Sequence, residues 1–327
     1  MILVTGGAGF IGSNLVAHLV DEGHRVCVND LLPSGDKAKN LAKHPVEELV
    51  TPDGLVDFLA RTGAAIEGVF HLGAITSTTE TDTTRLNETN VRLSQRLWSW
   101  CAEHRVPLVY ASSAATYGDG AHGFRDVDSS EGLEVFQPLN AYARSKHDFD
   151  RWVAREVARG APEPPSWHGV KLFNVYGPNE YHKGDMQSVV AKAHASAARG
   201  EPVTLFRSHH PDYADGGQLR DFVWVGDAVD VMTWLAARQP PSGIYNIGSG
   251  RAQSWLELVG AMFAARGEAL RIRWIDVPAE IRDRYQYRTE ADLTKLRAAG
   301  YARPFAPVEE GVRTYVERYL SAADRYR

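Results

Sequence analysis

Only two of the 327 residues are cysteine, Cys27 and Cys101, and both sit inside apolar stretches. That excludes a disulfide framework or a cysteine metal site and leaves two core thiols as the expectation. Neither sign of charge dominates: 36 Lys and Arg stand against 41 Asp and Glu, a formal net charge of -5. Without positive excess there is no field to hold a phosphate backbone, so no nucleic-acid partner is expected. No run of 18 apolar residues occurs, so no membrane-crossing helix is expected. The opening Met1-Ile-Leu-Val-Thr-Gly-Gly is too short and glycine-rich for a signal peptide, and the expected location is cytoplasmic. What the chain does have is 44% hydrophobic residues, enough for one large α/β unit or two compact domains.

Short apolar runs at Ile2–Thr5, Val26–Asn29, Gly68–Leu72, Val106–Ser112 and Val170–Val175 alternate with amphipathic segments. This alternation predicts a parallel sheet with crossover helices. Between the first two runs Leu15, Val16, Leu19 and Val20 recur at helical spacing, and Gly23 supplies a stop. Beyond about residue 177 the pattern loosens, with a polar stretch over Ser208–Leu219. The expected division is a dinucleotide-binding domain over 1–177, with returning segments near 220–250, and a mainly substrate-binding lobe over 178–327. Phe222–Val225 and Ile244–Ile247 are read as buried strands able to return to the main body. Ser254-Trp-Leu-Glu257 and Thr289-Glu-Ala-Asp292 are read as helix starts of the capping-box kind.

Gly6-Gly-Ala-Gly9-Phe-Ile-Gly12 follows a strand and opens a helix. Small residues there let the backbone approach a pyrophosphate, and N–H groups at a helix start favour its charge. Asp30 ends the second strand, where a carboxylate accepts hydrogen bonds from ribose hydroxyls and favours NAD. Lys37, seven residues on, pairs equally well with a 2′-phosphate and favours NADP. Tyr142-Ala-Arg-Ser-Lys146 puts a phenol and an ammonium on one helical face, and the ammonium is expected to lower the phenol's pKa. Ser113, ending the run at Tyr110-Ala-Ser-Ser113, offers a hydroxyl to the same oxygen. Adjacent His209 and His210 do not converge on one ion and lack a third ligand, so no metal is expected.

Gly6–Gly12, Ser113 and Tyr142-x-x-x-Lys146 together resemble the extended short-chain dehydrogenase/reductase family. Met1–Asn14, Ala111–Gly118, Phe173-Asn-Val-Tyr-Gly-Pro178, His182-Lys-Gly184 and Ala291–Tyr301 are similar to its ADP-heptose 6-epimerase branch. The resemblance implies a Rossmann-type doubly wound parallel sheet with a smaller, partly interleaved C-terminal lobe, and assembly as a homo-oligomer. It also implies inversion at C6 of the heptose of ADP-glycero-manno-heptose, a lipopolysaccharide core precursor, through a tightly held NADP or NAD. Carried to matching positions, Tyr142 and Lys183 are the two acid/base groups, Lys146 orients the cofactor, and Ser113 assists at the substrate oxygen. Gly6, Gly9, Phe10, Ile11, Gly12, Asp30, Lys37, Gly73, Ala74 and Val175 are then cofactor contacts, together with Tyr142, Lys146 and Lys183. Asn174, Phe206, Arg220 and Tyr285 are substrate contacts, alongside Ser113 and Lys183.

Three places depart from the branch. Leu31 follows Asp30 where asparagine is common, Asp185 stands where serine is usual, and the Ser208–Leu219 stretch is longer. The neighbouring activity in the superfamily, 4,6-dehydration, calls for an acid near the catalytic hydroxyl, and Ser113-Ala-Ala-Thr-Tyr117 provides none. A binding protein that had lost catalysis would have no use for Ser113, Tyr142, Lys146 and Lys183 together.

Overall fold

The computed structural model describes residues 1–282 and 285–327. Its strands are β1 (Ile2–Thr5), β2 (Val26–Asn29), β3 (Glu48–Val50), β4 (Gly68–His71), β5 (Leu108–Ser113), β6 (Trp167–Leu172), β7 (Asn174–Tyr176), β8 (Val203–Phe206), β9 (Leu219–Trp224), β10 (Gly243–Ile247), β11 (Ala252–Ser254) and β12 (Ile272–Ile275). Seven of them form one parallel sheet in the order β3-β2-β1-β4-β5-β6-β10. The order reverses direction at β1, where a crevice opens at the carboxyl ends of the strands.

Both faces of this sheet are covered, which is why its strands read as unbroken apolar runs. Leu3, Val69 and Leu108 enter one buried cluster, and their neighbours Val4, Phe70 and Val109 enter another on the opposite face. Helices Leu55–Thr62, Leu93–His104 and Ala141–Ala158 supply the first cluster, and Phe10–Asp21 and Val225–Arg238 the second. A third cluster belongs to the C-terminal lobe and joins Val190, Leu205, Phe222, Met262, Phe263 and Val312. Both cysteines are buried and free. Among the described residues no helix is long and apolar enough to cross a membrane.

The expected run Val170–Val175 is two strands. After Leu172 the backbone turns tightly, with the Val175 amide donating to the Phe173 carbonyl at 2.9 Å, so Asn174–Tyr176 leaves the main sheet and pairs with β9. Of the two runs read as returning strands, Gly243–Ile247 joins the main sheet beside β6 and Leu219–Trp224 lies in a three-stranded sheet with β7 and β11. The capping box at Ser254 forms, with the Ser254 and Glu257 groups bonding reciprocally. The one read at Thr289 does not. There the Ala291 amide is taken by Asp221 Oδ2 and the Thr289 hydroxyl by the Asp221 amide, and the helix begins only at Thr294.

Candidate active site

The glycine loop between β1 and helix Phe10–Asp21 leaves no room for side chains. Gly6 has φ +68°, and a Cβ there would lie 2.7 Å from Gly73. A Cβ on Gly12 would lie 2.1 Å from the Gly6 carbonyl oxygen. Gly9, by contrast, faces little besides that same oxygen and presents bare backbone at the helix start. This is a cradle built for close approach of a phosphate to main-chain N–H groups. Gly12→Ala is expected to cost about 1–3 kcal/mol through overpacking and to lose dinucleotide binding. Thermal melts and nucleotide titration check both.

The loop forms the floor of a cleft of about 890 Å³, a size that suits a cofactor and part of a substrate. Gly6, Gly9, Phe10, Ile11, Gly12, Asp30, Lys37, Gly73, Ala74, Ser113, Tyr142, Lys146, Asn174, Val175 and Lys183 all line it. At one end Asp30 is nearly buried. Its Oδ2 accepts from the Ala8 amide at 3.0 Å and its Oδ1 from Lys37 Nζ at 2.6 Å. The two residues read as competing alternatives therefore form one ion pair.

Toward the other end, helix Ala141–Ala158 starts at Asn140, whose side chain accepts from the Ala143 amide. Tyr142 and Lys146 lie on its cleft side, and Ser113 ends β5 beside them. The expected lowering of the Tyr142 pKa by Lys146 is corrected here. Burial raises the phenol above its ordinary value of 10, and the Ser113 hydroxyl is the group that pulls it down. Lys146 instead donates to the Ala111 carbonyl at 2.9 Å. Burial brings its own pKa down to about 8, against the opposing pull of Asp150.

Lys183 enters from a different element, the short turn Tyr181–Met186, with its ammonium 5.2 Å from the centre of the Phe10 ring. Burial lowers its pKa, and Glu180 opposes the shift. Asn40 anchors this turn to the glycine loop: its amide donates to the carbonyls of Ala8 and Asn179 at 3.0 Å and meets His182 Nδ1 at 3.3 Å. Phe206, Arg220 and Tyr285 are not themselves among the lining residues, but they adjoin the cleft through Trp255, which is. The Arg220 guanidinium lies 5.4 Å from the Tyr285 ring and 5.7 Å from Trp255, and Phe206 meets Tyr285 edge-on at 6.0 Å.

The model of the NAD dependent epimerase/dehydratase family matches residues 2–248. The chain belongs to that family. It is 45% identical over 327 residues to the ADP-L-glycero-D-manno-heptose-6-epimerase of Nitratidesulfovibrio vulgaris, covering 99% of each chain. The solved ADP-L-glycero-D-manno-heptose-6-epimerase of Helicobacter pylori is 27% identical with a TM-score of 0.79, over 98% of this chain and 96% of that one. The UDP-glucose 4-epimerase of Thermus thermophilus, solved with NAD, is 29% identical with a TM-score of 0.75, over 98% of this chain and 99% of that one.

Within this epimerase/dehydratase frame the cleft also holds residues that motif reading missed. Thr76 and Thr78 come from the loop after β4, Arg85 from the short helix Thr83–Leu86, and Gln187 and Lys192 from the segment after Lys183. The hydroxyl-rich run Thr76-Ser-Thr-Thr79 was a usable signal, since it lies in the loop that leaves the carboxyl end of a main-sheet strand. The carboxylates among the described lining residues are Asp30, already paired with Lys37, and Asp185. No carboxylate follows Ser113 through Tyr117, where a dehydratase would place its acid.

Proposed function

We propose that this chain is an ADP-glycero-manno-heptose 6-epimerase that works with NADP, and with NAD less well, and so supplies a lipopolysaccharide core precursor. The observation that carries the reading is that Tyr142 and Lys183 reach one cleft from two separate elements. Identity of 45% along the whole length of an enzyme of that name supports the substrate. Residues 1–177, with the returning strand β10, are assigned to the dinucleotide, and most of 178–327 to the sugar nucleotide.

The glycine cradle fits a dinucleotide pyrophosphate, with Asp30 and Lys37 at the adenosine end. The bound nicotinamide supplies oxidation and re-reduction at C6, passing through a planar ketone. The chain's own task is proton management. Tyr142 holds a proton on one face of C6, with the Ser113 hydroxyl bonding to the same oxygen. Lys183 faces the other side: one of the two groups takes up the C6 hydroxyl proton as hydride leaves, and after the ketone has turned over the other gives a proton to the oxygen as hydride returns. Lys146 as an ammonium orients the ribose next to the reacting ring. Asn174 and Val175 contact substrate and cofactor where the chain leaves the main sheet. Phe206, Arg220 and Tyr285 serve the nucleotide portion beyond Trp255 at the edge of the cleft, by stacking and charge.

The deciding experiment releases bound nucleotide by denaturation, identifies it by mass, and follows the C6 epimer ratio of ADP-heptose with the protein. Failure to change that ratio, in protein that carries nicotinamide, removes the substrate assignment. For the phosphate preference, Lys37 neutralises Asp30 and presents a cation where a 2′-phosphate would lie. A charge-assisted hydrogen bond contributes about 1.5–3 kcal/mol, so Lys37→Ala should weaken NADP by roughly 10-fold to 100-fold and leave NAD nearly unchanged. Equal losses in a titration with both nucleotides mean that Lys37 does not read the phosphate.

A further inference from the structure

Behind the cleft wall the helix Ala141–Ala158 carries one more charge. Asp150 stands four residues after Lys146 and eight after Tyr142, hence on the same face. It is completely buried, as is Lys171 of β6, and their charged atoms lie 3.4 Å apart. Asp150 Oδ2 accepts a 2.6 Å hydrogen bond from the Ser112 hydroxyl. Lys171 Nζ donates to the Thr116 hydroxyl at 2.6 Å and lies 4.4 Å from the centre of the Tyr117 ring. Ser112 and Thr116 bracket Ser113, so the pair grips the Ser113 segment from both sides and ties it to the helix of Tyr142 and Lys146. Asp150 Oδ1 has no hydrogen-bond partner among the described residues.

A buried ion pair gives little net stability over apolar residues of equal volume, so its position under the cleft asks for a second reason. We propose that Asp150 is a positioning residue: paired with Lys171 and bonded to Ser112, its carboxylate holds Ser113 beside Tyr142 and sets the charge environment of Lys146 one helical turn away. This rests on the proposed roles of Tyr142 and Lys146. The titratable groups that face Asp150 are Tyr142 and Lys146 on its own helix, Tyr110 on β5, Tyr117 just beyond it, and Lys171 on β6. Asp126, Asp128 and His147 act in turn on Lys171 or feel it. Lys146 is the cation in the cleft and also acts on the buried His71 of β4; burial raises the Asp150 carboxyl, Lys171, Ser112 and Lys146 pull it back down, and Asp150 in turn opposes the loss of a proton from Lys146.

The test is the pH dependence of NADP affinity in cofactor-stripped protein, titrated by fluorescence from about pH 6 to about pH 11, a span that brackets the ordinary lysine value of about 10.4 and the values below it, with melting temperature measured alongside. Affinity is expected to fall on the alkaline side as Lys146 loses its proton. In Asp150→Asn the anion is gone and Lys171 is unopposed, both of which favour the neutral amine, so the fall should move to lower pH by about one pH unit or more. The variant Asp150→Asn with Lys171→Met removes both charges; it should recover melting temperature and keep a smaller shift of the same sign. A purely structural role predicts lower melting temperature in the first, recovery in the second, and the parent's midpoint in both. The parent's midpoint in Asp150→Asn, or in the double variant should the single one not fold, overturns the proposal. So does a parent affinity that stays flat to the alkaline end of the titration. Absence of any nicotinamide binding overturns the functional reading and this inference with it, whereas failure of ADP-heptose as substrate leaves the readout intact.

Discussion

Tyr142→Phe is expected to lower the rate of C6 epimerisation by about 100-fold to 10,000-fold, the span over which a positioned acid or base contributes, while the dinucleotide stays bound. Only the oxygen is removed; the ring that lines the cleft remains. Burial raises the pKa of the phenol, and the Ser113 hydroxyl pulls it the other way. The proposed part of Tyr142 is to pass a proton to or from the C6 oxygen, and phenylalanine can do neither. Epimer ratios followed over time report the rate, and the mass of nucleotide released on denaturation reports the cofactor. A variant that turns over within about tenfold of the parent takes Tyr142 out of the acid/base role. Loss of nucleotide together with rate would point instead to a damaged cleft.

What was legible in the residues depended on how local its cause is. The glycine loop could be read because its requirement is steric and contained in seven positions, and the structure puts a Cβ clash at both ends of it. The shared helix face of Tyr142 and Lys146 could be read because a four-residue spacing is local too. By contrast β3 was missed, since Glu48-Leu-Val50 is an edge strand of three residues with no apolar run to announce it. The break after Leu172 was missed because Val170–Val175 is apolar enough to look continuous, and only pairing with β9 shows that it turns. Thr289 failed as a cap because Asp221, 68 residues away, claims the backbone around it. The same limit hid the union of Asp30 with Lys37 and of Asp150 with Lys171: sequence shows two charges, and only the fold shows that each neutralises the other. Phe206, Arg220 and Tyr285 were assigned by resemblance, and the structure groups them with one another beside Trp255 of the cleft lining.

Lys183→Ala is the substitution that separates an epimerase from an enzyme with a proton donor on one face. Epimerisation should fall by about 100-fold to 10,000-fold, with fold and cofactor kept. The turn that carries Lys183 is held by other residues: Asn40 bonds the Asn179 carbonyl, and Glu180 accepts from the amide and hydroxyl of Ser188 and from Tyr315. Among the described residues the Lys183 ammonium takes part in no hydrogen bond; its contact is the face of Phe10. Its loss should therefore change stability by no more than about 0.5–1 kcal/mol. Burial lowers the Lys183 pKa while Glu180 limits the shift, so the side chain exchanges a proton more readily than an exposed lysine. Hydride transfer in one stereochemical sense needs only Tyr142, so the variant should still reduce or oxidise carbonyl analogues of the substrate. Lys183→Arg sharpens the test, because guanidinium keeps the charge and does not give up its proton. If the arginine variant epimerises ADP-heptose at the parent rate, Lys183 acts as a fixed charge and the two-base assignment is wrong. If it is as slow as the alanine variant while both bind nucleotide, proton transfer at Lys183 is what the second face of C6 requires.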